Sequence, residues 1–250
     1  MHDGNVLEFW NFVVRYRDAI KLNSQGFACF SISGLISTTL HGSIKRHVAI
    51  FMEHPFETLI ASYLQNEVGI AEHFLTDALA NHLKENLLAL HGGQMLLAAG
   101  TGNAKKLSHD NKVRGDKIYW LDKKHNNIHE NAFFAQVEAF IDYLNQSCYA
   151  GITGYEFHYT LYEAGAFYVK HVDRFQDDKG RAFSMISYLN ADWEEKDGGE
   201  LLIHQIDNNQ KIAPTQGKTV FFKSNELEHE VLVTNERRMS VTGWLTRGEK

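Results

Sequence analysis

The chain has 250 residues, 44% of them hydrophobic, which is enough apolar content for one well-cored domain with an appendage. A net charge of −6 gives no global basic footprint for nucleic acid, and two cysteines, Cys29 and Cys148, make neither a disulfide framework nor a cysteine zinc cluster. No apolar run reaches the length of a bilayer span, and Met1-His2-Asp3-Gly4-Asn5 has neither a basic n-region nor an apolar h-region. The expectation is a cytoplasmic protein with no membrane and no nucleic-acid partner.

In chain order, Val6 to Lys21 carries Leu7, Trp10, Val14 and Ile20 at near-helical spacing, and Phe56 to Leu64 predicts a second short helix that Pro55 opens. Residues 1–70 read as an N-terminal extension of unassigned role and residues 71–250 as the main domain. Thr76 is placed to cap a helix through Leu79, Leu83, Leu87 and Leu90 that stops at Gly92-Gly93. Ser108 to Ile118 is polar and reads as a mobile loop, with Gly115 permitting a turn and the charges of Arg114 and Asp116 solvated. Another helix spans about Ala132 to Gln146, and short strands dominate from Gly154 to Thr246. The pattern predicts an α+β fold in which helices support a double-stranded β-helix, a jelly-roll of the cupin-like kind.

The chemistry-bearing residues lie in that strand-rich part. Ala166 to Lys170 has strand composition and leads into His171-Val172-Asp173, where alternation points both side chains the same way. A bare His-x-Asp pair recurs by chance roughly once in a chain this rich in both residues, so its setting matters more than its occurrence. Asn225 to Glu228 is a polar approach that leads into His229 to Val233, a second strand-like run. Two histidines and one carboxylate on one face of a metal leave positions open for a co-substrate and O₂, as in mononuclear non-haem iron oxygenases. In Arg238 to Trp244, parity puts Arg238, Ser240, Thr242 and Trp244 on one face and Met239, Val241 and Leu245 on the other. A buried guanidinium needs an anion, and it binds carboxylate in a bidentate fork. A dicarboxylate co-substrate such as 2-oxoglutarate would satisfy it.

Tyr162, His171-Val172-Asp173, Arg181, Ser187 to Trp193, Gly198-Gly199-Glu200-Leu201, His229, Arg238 and Trp244 together resemble the 2-oxoglutarate- and Fe(II)-dependent prolyl 4-hydroxylases. With Val113-Arg114-Gly115-Asp116-Lys117-Ile118-Tyr119-Trp120-Leu121 upstream, they resemble in particular the hypoxia-inducible-factor prolyl hydroxylase branch and its bacterial relatives, over about residues 71–247. The resemblance implies iron ligands at His171, Asp173 and His229. It implies 2-oxoglutarate held by Arg238 with Tyr188 as hydroxyl partner, in a pocket lined by Tyr162, Thr242 and Trp244. It further implies a prolyl-containing protein or peptide substrate enclosed by a loop at residues 105–117 that includes Arg114, Gly115 and Asp116. Fe(II), 2-oxoglutarate and O₂ would be required, with ascorbate as a reductant, and succinate and CO₂ released. The segment Glu163-Ala164-Gly165 is shorter than in the animal enzymes, and Arg174 to Gly180 replaces their Pro-bearing loop, so substrate choice is expected to differ.

The remaining features have blander readings. His47, His54, His82, His91, His125, His129 and His204 are expected at the surface or on helices, outside the chemistry. Trp120 and Trp193 read as core or loop anchors, and Asp177-Asp178, Asp192 and Glu194-Glu195 as solvated charges. A non-catalytic cupin-like module would have lost a ligand or the Arg, and a halogenase would lack Asp173. The serious rival is an oxygenase of the same fold acting on another protein side chain, a free amino acid or a nucleobase.

Overall fold

Sheets and helices are laid down in the order the periodicities suggest. The computed structural model describes residues 54–100, 112–173, 180–206 and 208–248, so the helix expected over Val6 to Lys21 lies outside the described residues. Helix α1 (Pro55–Asn66) leads to β1 (Val68–Ala71), α2 (Asp77–Gly92), β2 (Leu97–Ala98), β3 (Lys117–Trp120) and α3 (Ile128–Cys148). Then come β4 (Gly154–Tyr162), β5 (Tyr168–His171), β6 (Arg181–Tyr188), β7 (Leu201–His204), β8 (Gln210–Ile212), β9 (Thr219–Lys223), β10 (Glu228–Val231) and β11 (Arg238–Thr246). Among the described residues they form a seven-stranded sheet, β1-β9-β6-β11-β4-β3-β2, and a four-stranded sheet, β5-β10-β7-β8. This is the expected α+β double-stranded β-helix with supporting helices.

The helix ends refine the sequence reading. Thr76 caps α2 by accepting from the Leu79 amide, but Gly93 has φ −78° and the left-handed step falls one residue later, at Gln94. Helix α3 starts earlier than Ala132 because Asn127 Oδ1 accepts from the amides of His129 and Glu130, a cap that the polar first turn obscured. The boundary expected at residue 70 falls inside a strand: β1 pairs with β9 from Val68 opposite Phe222 to Ala71 opposite Thr219. Helix α1 is tied to the same unit through Phe56, whose ring meets Phe74 and Phe140.

Alternation along β4 and β11 separates two environments. Phe157, Tyr159, Leu161, Met239, Val241 and Leu245 are buried on the helix side, where Phe133 meets Phe157 edge-on at 5.1 Å and Phe140 meets Phe221 at 5.4 Å. On the other side, His158, Thr160, Tyr162, Arg238, Thr242 and Trp244 line a cavity of about 780 Å³ between the sheets. Two register shifts interrupt the alternation. One lies where Leu245 and Thr246 oppose Phe183 and Arg181, and the other where His229 and Val231 oppose His171 and Tyr168. Each inserts an extra residue into one strand and so re-aims the side chain beyond it.

Gly243 lies between the cavity-lining Thr242 and Trp244, and a Cβ there would sit 2.1 Å from the Glu156 carbonyl and 2.4 Å from the Phe157 ring. Both neighbours are anchored in β4, so the strand pair would have to part. Gly243→Ala is expected to destabilise the fold by about 1–3 kcal/mol or more, read as a lowered urea midpoint at unchanged slope.

Candidate metal centre and co-substrate cavity

Strand β5 ends at His171, Asp173 follows two residues on, and β10 sets His229 directly opposite His171. His171 Nε2 lies 3.5 Å from Asp173 Oδ1, and His229 Nε2 lies 3.6 Å from Asp173 Oδ2. One ligand atom from each residue falls within 4.8 Å of the others. The far ring nitrogens are already used: Nδ1 of His171 meets the Val169 carbonyl at 2.8 Å and Nδ1 of His229 meets the Leu227 carbonyl at 3.1 Å. With the hydrogen on Nδ1, each ring presents its Nε2 lone pair to the shared point.

The protonation states suit metal binding. Burial works to raise the Asp173 carboxyl, but His229, His171 and the Ser184 hydroxyl prevail and hold it well below the usual carboxylate range. Ser184 donates to Asp173 at 2.6 Å and lies 2.9 Å from the Ser224 hydroxyl. Burial lowers His229 against the opposing pull of Asp173, which favours the neutral, ligating form of the ring. An ionised carboxylate and two imidazoles that turn their Nε2 atoms to one point are a donor set that fits a single ferrous ion with coordination positions to spare.

Deeper in the cavity, Arg238 is 3% exposed and has no carboxylate within ion-pair distance among the described residues. Its Nε donates to the Gly199 carbonyl at 2.7 Å, and its guanidinium carbon stands 5.0 Å and 5.1 Å from the rings of Tyr162 and Tyr188. The Tyr188 hydroxyl is buried with no hydrogen-bond partner among the described residues, and burial pushes its pKa up to about 12. A buried cation beside a buried, unpartnered phenol fits the free carboxylate of a 2-oxoglutarate molecule, since neither group is tolerable without a partner. Gly199 makes this placement possible: it holds φ +74°, and a Cβ there would lie 3.0 Å from Arg238 Cδ. Despite the short Glu163-Ala164-Gly165 loop, Tyr162 pairs directly with Arg238 across β4 and β11.

Several expectations need correction. The charges of Arg114 and Asp116 are not solvated: Asp116 is 2% exposed and accepts from Arg114 Nε and Nη2 at 2.7 and 2.6 Å. Nor is this end of the expected loop free, because Gly115 N donates to the Phe167 carbonyl and Val169 N to the Val113 carbonyl, while residues 101–111 lie outside the described residues. Trp120 is not a core anchor. It is half exposed at the cavity, with its ring 5.0 Å from His158 and 6.4 Å from Trp244. Trp193 does anchor its loop, donating to the Gly198 carbonyl. His125 is exposed on a short helical turn, as expected, and also lines the cavity, where it contacts Glu130.

Sequence reasoning also passed over His158, which is buried, faces the cavity, and contacts the Tyr159 carbonyl and Thr160 hydroxyl through Nδ1. Its position on the polar face of β4, in step with Thr160 and Tyr162, was the available signal. Arg181 reaches the cavity through the first register shift, lies 3.4 Å over the Trp244 ring and pairs with Glu156.

Burial lowers the His158 pKa from 6.5 to about 4. The unfolded chain therefore binds a proton between pH 6.5 and 4 that the folded chain refuses. The stability due to this group is complete above pH 6.5 and declines as pH falls toward 4. The loss is on the order of 3 kcal/mol. His158→Gln should flatten this part of the stability profile measured by urea unfolding across pH 4–7.

Comparison with known proteins agrees with the geometry. The sequence profile of the 2OG-Fe(II) oxygenase superfamily matches residues 157–246. The chain is 26% identical over 205 residues to human Egl nine homolog 1, an alignment covering 75% of this chain and 46% of that protein. It spans about half the length of the curated relatives it matches. A Pseudomonas putida prolyl-4-hydroxylase structure is 30% identical, with a TM-score of 0.70, covering 78% of this chain and 100% of that one. A Trichoplax adhaerens prolyl hydroxylase, solved with a hypoxia inducible factor oxygen degradation domain peptide, shares the fold at 24% identity and a TM-score of 0.69, over 77% of this chain and 89% of that one. With the His171, Asp173 and His229 cluster and the buried Arg238 in one cavity, the chain belongs to the 2OG-Fe(II) oxygenase superfamily, whose members require Fe(II), 2-oxoglutarate and O₂.

Proposed function

We propose that this protein hydroxylates a prolyl residue in a protein or peptide. The observation that carries this reading is the likeness to the Pseudomonas putida prolyl-4-hydroxylase across the whole of that chain. The cavity supports it. Its mouth carries Met95, Leu97 and Trp120, large apolar side chains left exposed, while Arg181 over Trp244 makes a flat wall suited to an apolar ring. An entrance of this kind fits a segment of polypeptide.

In this reading His171, Asp173 and His229 would ligate Fe(II), which with 2-oxoglutarate and O₂ supplies the oxidation: succinate and CO₂ leave, and one oxygen atom enters a C–H bond of the substrate. The side chains supply placement. Arg238 and Tyr188 would fix the far carboxylate of 2-oxoglutarate, which sets the direction from which its keto acid end meets the ligands. Ser184 keeps Asp173 oriented and ionised. Ile186, Leu201 and Val231 line the same cavity and exclude water from the reacting atoms.

Arg238→Ala should raise the 2-oxoglutarate dissociation constant by about two to three decades, or roughly 3–4 kcal/mol, in anaerobic calorimetry with Mn(II) in place of iron. Arg238→Lys should lose less, keeping charge without the fork. Tyr188→Phe should cost about 1.5–3 kcal/mol, one hydrogen bond to a charged group. An unchanged constant in Arg238→Ala would assign the carboxylate to another cation.

The substrate reading is tested by peptide mass spectrometry on host proteomes with and without the gene. The expected result is a set of prolyl residues one oxygen heavier only when the gene is present, reproduced by purified enzyme with Fe(II) and 2-oxoglutarate. Gene-dependent oxidation of another side chain, or turnover confined to free amino acids or nucleobases, would replace the prolyl assignment while leaving the oxygenase assignment intact.

A further inference from the structure

His171 is the least braced of the three candidate ligands. It ends β5, a four-residue strand at the edge of the smaller sheet with β10 as its one partner there. His229, in contrast, sits on a strand paired on both sides and packs against the Phe222 ring at 4.9 Å. Something must hold the His171 ring where its Nε2 meets Asp173.

The bracing group is Tyr168. Three residues apart on a regular strand, Tyr168 and His171 would point to opposite faces. The register shift in β5 sets His171 opposite His229 and Tyr168 opposite Val231, so the strand takes one extra residue between them and both rings come to the same face. They stack with centroids 3.6 Å apart and planes 18° from parallel. On Tyr168 lies Arg114, its guanidinium carbon 4.2 Å from the ring centroid. Arg114 is itself fixed by the two-pronged pairing with buried Asp116 and by donation to the Gly100 carbonyl.

The backbone makes a second, parallel connection. Val169, whose carbonyl meets His171 Nδ1, has its own amide held by the Val113 carbonyl. Residues 113–115 therefore cover the open edge of β5, with Arg114 bridged to Tyr168 in antiparallel register. Gly115 suits this approach, since a Cβ there would lie 3.1 Å from the Ala166 Cβ. Within the Arg-Gly-Asp segment, Asp116 anchors, Gly115 permits contact, and Arg114 presses on the stack.

We propose that Val113 to Asp116 is a brace for the metal centre, with Arg114 and Tyr168 as positioning residues that hold the His171 imidazole in its ligating orientation through the Asp116, Arg114, Tyr168, His171 stack. The inference rests on His171 being a ligand and is independent of which substrate is oxidised. It differs from a substrate-contact role because it acts before any substrate arrives.

The test is Mn(II) binding to the full chain, followed by electron paramagnetic resonance, with neither 2-oxoglutarate nor substrate present. Partners that orient a ligand typically contribute about 10–100-fold in metal affinity. Tyr168→Leu and Arg114→Ala should each weaken Mn(II) binding roughly tenfold or more, and Tyr168→Phe, which keeps the stacking ring, should stay within about twofold of wild type. Because Arg114 acts through Tyr168, the double variant should be no weaker than Tyr168→Leu alone. Circular dichroism and melting of the metal-free proteins establish that the variants fold. If Tyr168→Leu does not fold, Arg114→Lys and Arg114→Ala carry the test, the lysine keeping charge without a flat face and losing part of the affinity. Wild-type Mn(II) affinity in the folded variants, or an Arg114→Ala effect that multiplies in full with Tyr168→Leu, overturns the brace. His171→Ala in the same series separates the causes: if it also binds Mn(II) normally, the ligand assignment falls and the brace with it.

Discussion

The structure depends on keeping charge inside an apolar sandwich without a counter-charge from the fold. Asp173 and Arg238 both lie in the cavity, yet they do not pair with each other, and each is left able to bind something else. An ionised side chain withdrawn from water costs several kcal/mol unless it is compensated. Asp173 is compensated by the Ser184 hydroxyl, and Arg238 by one carbonyl and two aromatic faces. That partial compensation leaves Asp173 with capacity for a cation and Arg238 with capacity for an anion, which is the pairing of ligands the family uses.

Much of this was legible because strand alternation is a simple rule with a physical cause. The polar face of β11 could be read from Arg238, Thr242 and Trp244 alone, and the structure sets all three on the cavity wall. His171, Asp173 and His229 were legible for the same reason, as was the jelly-roll core. Alternation stops informing where a local irregularity re-aims a side chain. Arg181 and Tyr168 reach their places through extra residues in β6 and β5, and no period-two argument can locate such a residue in advance. Arg114 and Asp116 look like solvated loop charges because their burial depends on a partner two residues away and on an edge strand far along the chain. His158 was overlooked because a lone histidine carries no motif, although its parity with Tyr162 was open to view.

The two walls of the cavity are built differently, and the division of labour follows. Arg238, Tyr188, Tyr162, Thr242 and Trp244 all stand on the seven-stranded sheet, backed by an aromatic layer in which Phe133, Phe140, Phe157, Phe183 and Phe221 interlock. His171 and His229 stand on the four-stranded sheet, whose strands are three or four residues long. Long strands with packed helices behind them resist displacement, whereas short strands borrow rigidity from whatever borders them. The proposed co-substrate clamp is therefore fixed by the core itself. The proposed metal centre is fixed by its neighbours: Ser184 reaches across from the larger sheet, Phe222 lies behind His229, and residues 113–116 close the outer edge. A change far from the ligands in sequence can loosen the metal while the carboxylate clamp stays in place, so metal affinity and co-substrate affinity report on different walls of one cavity.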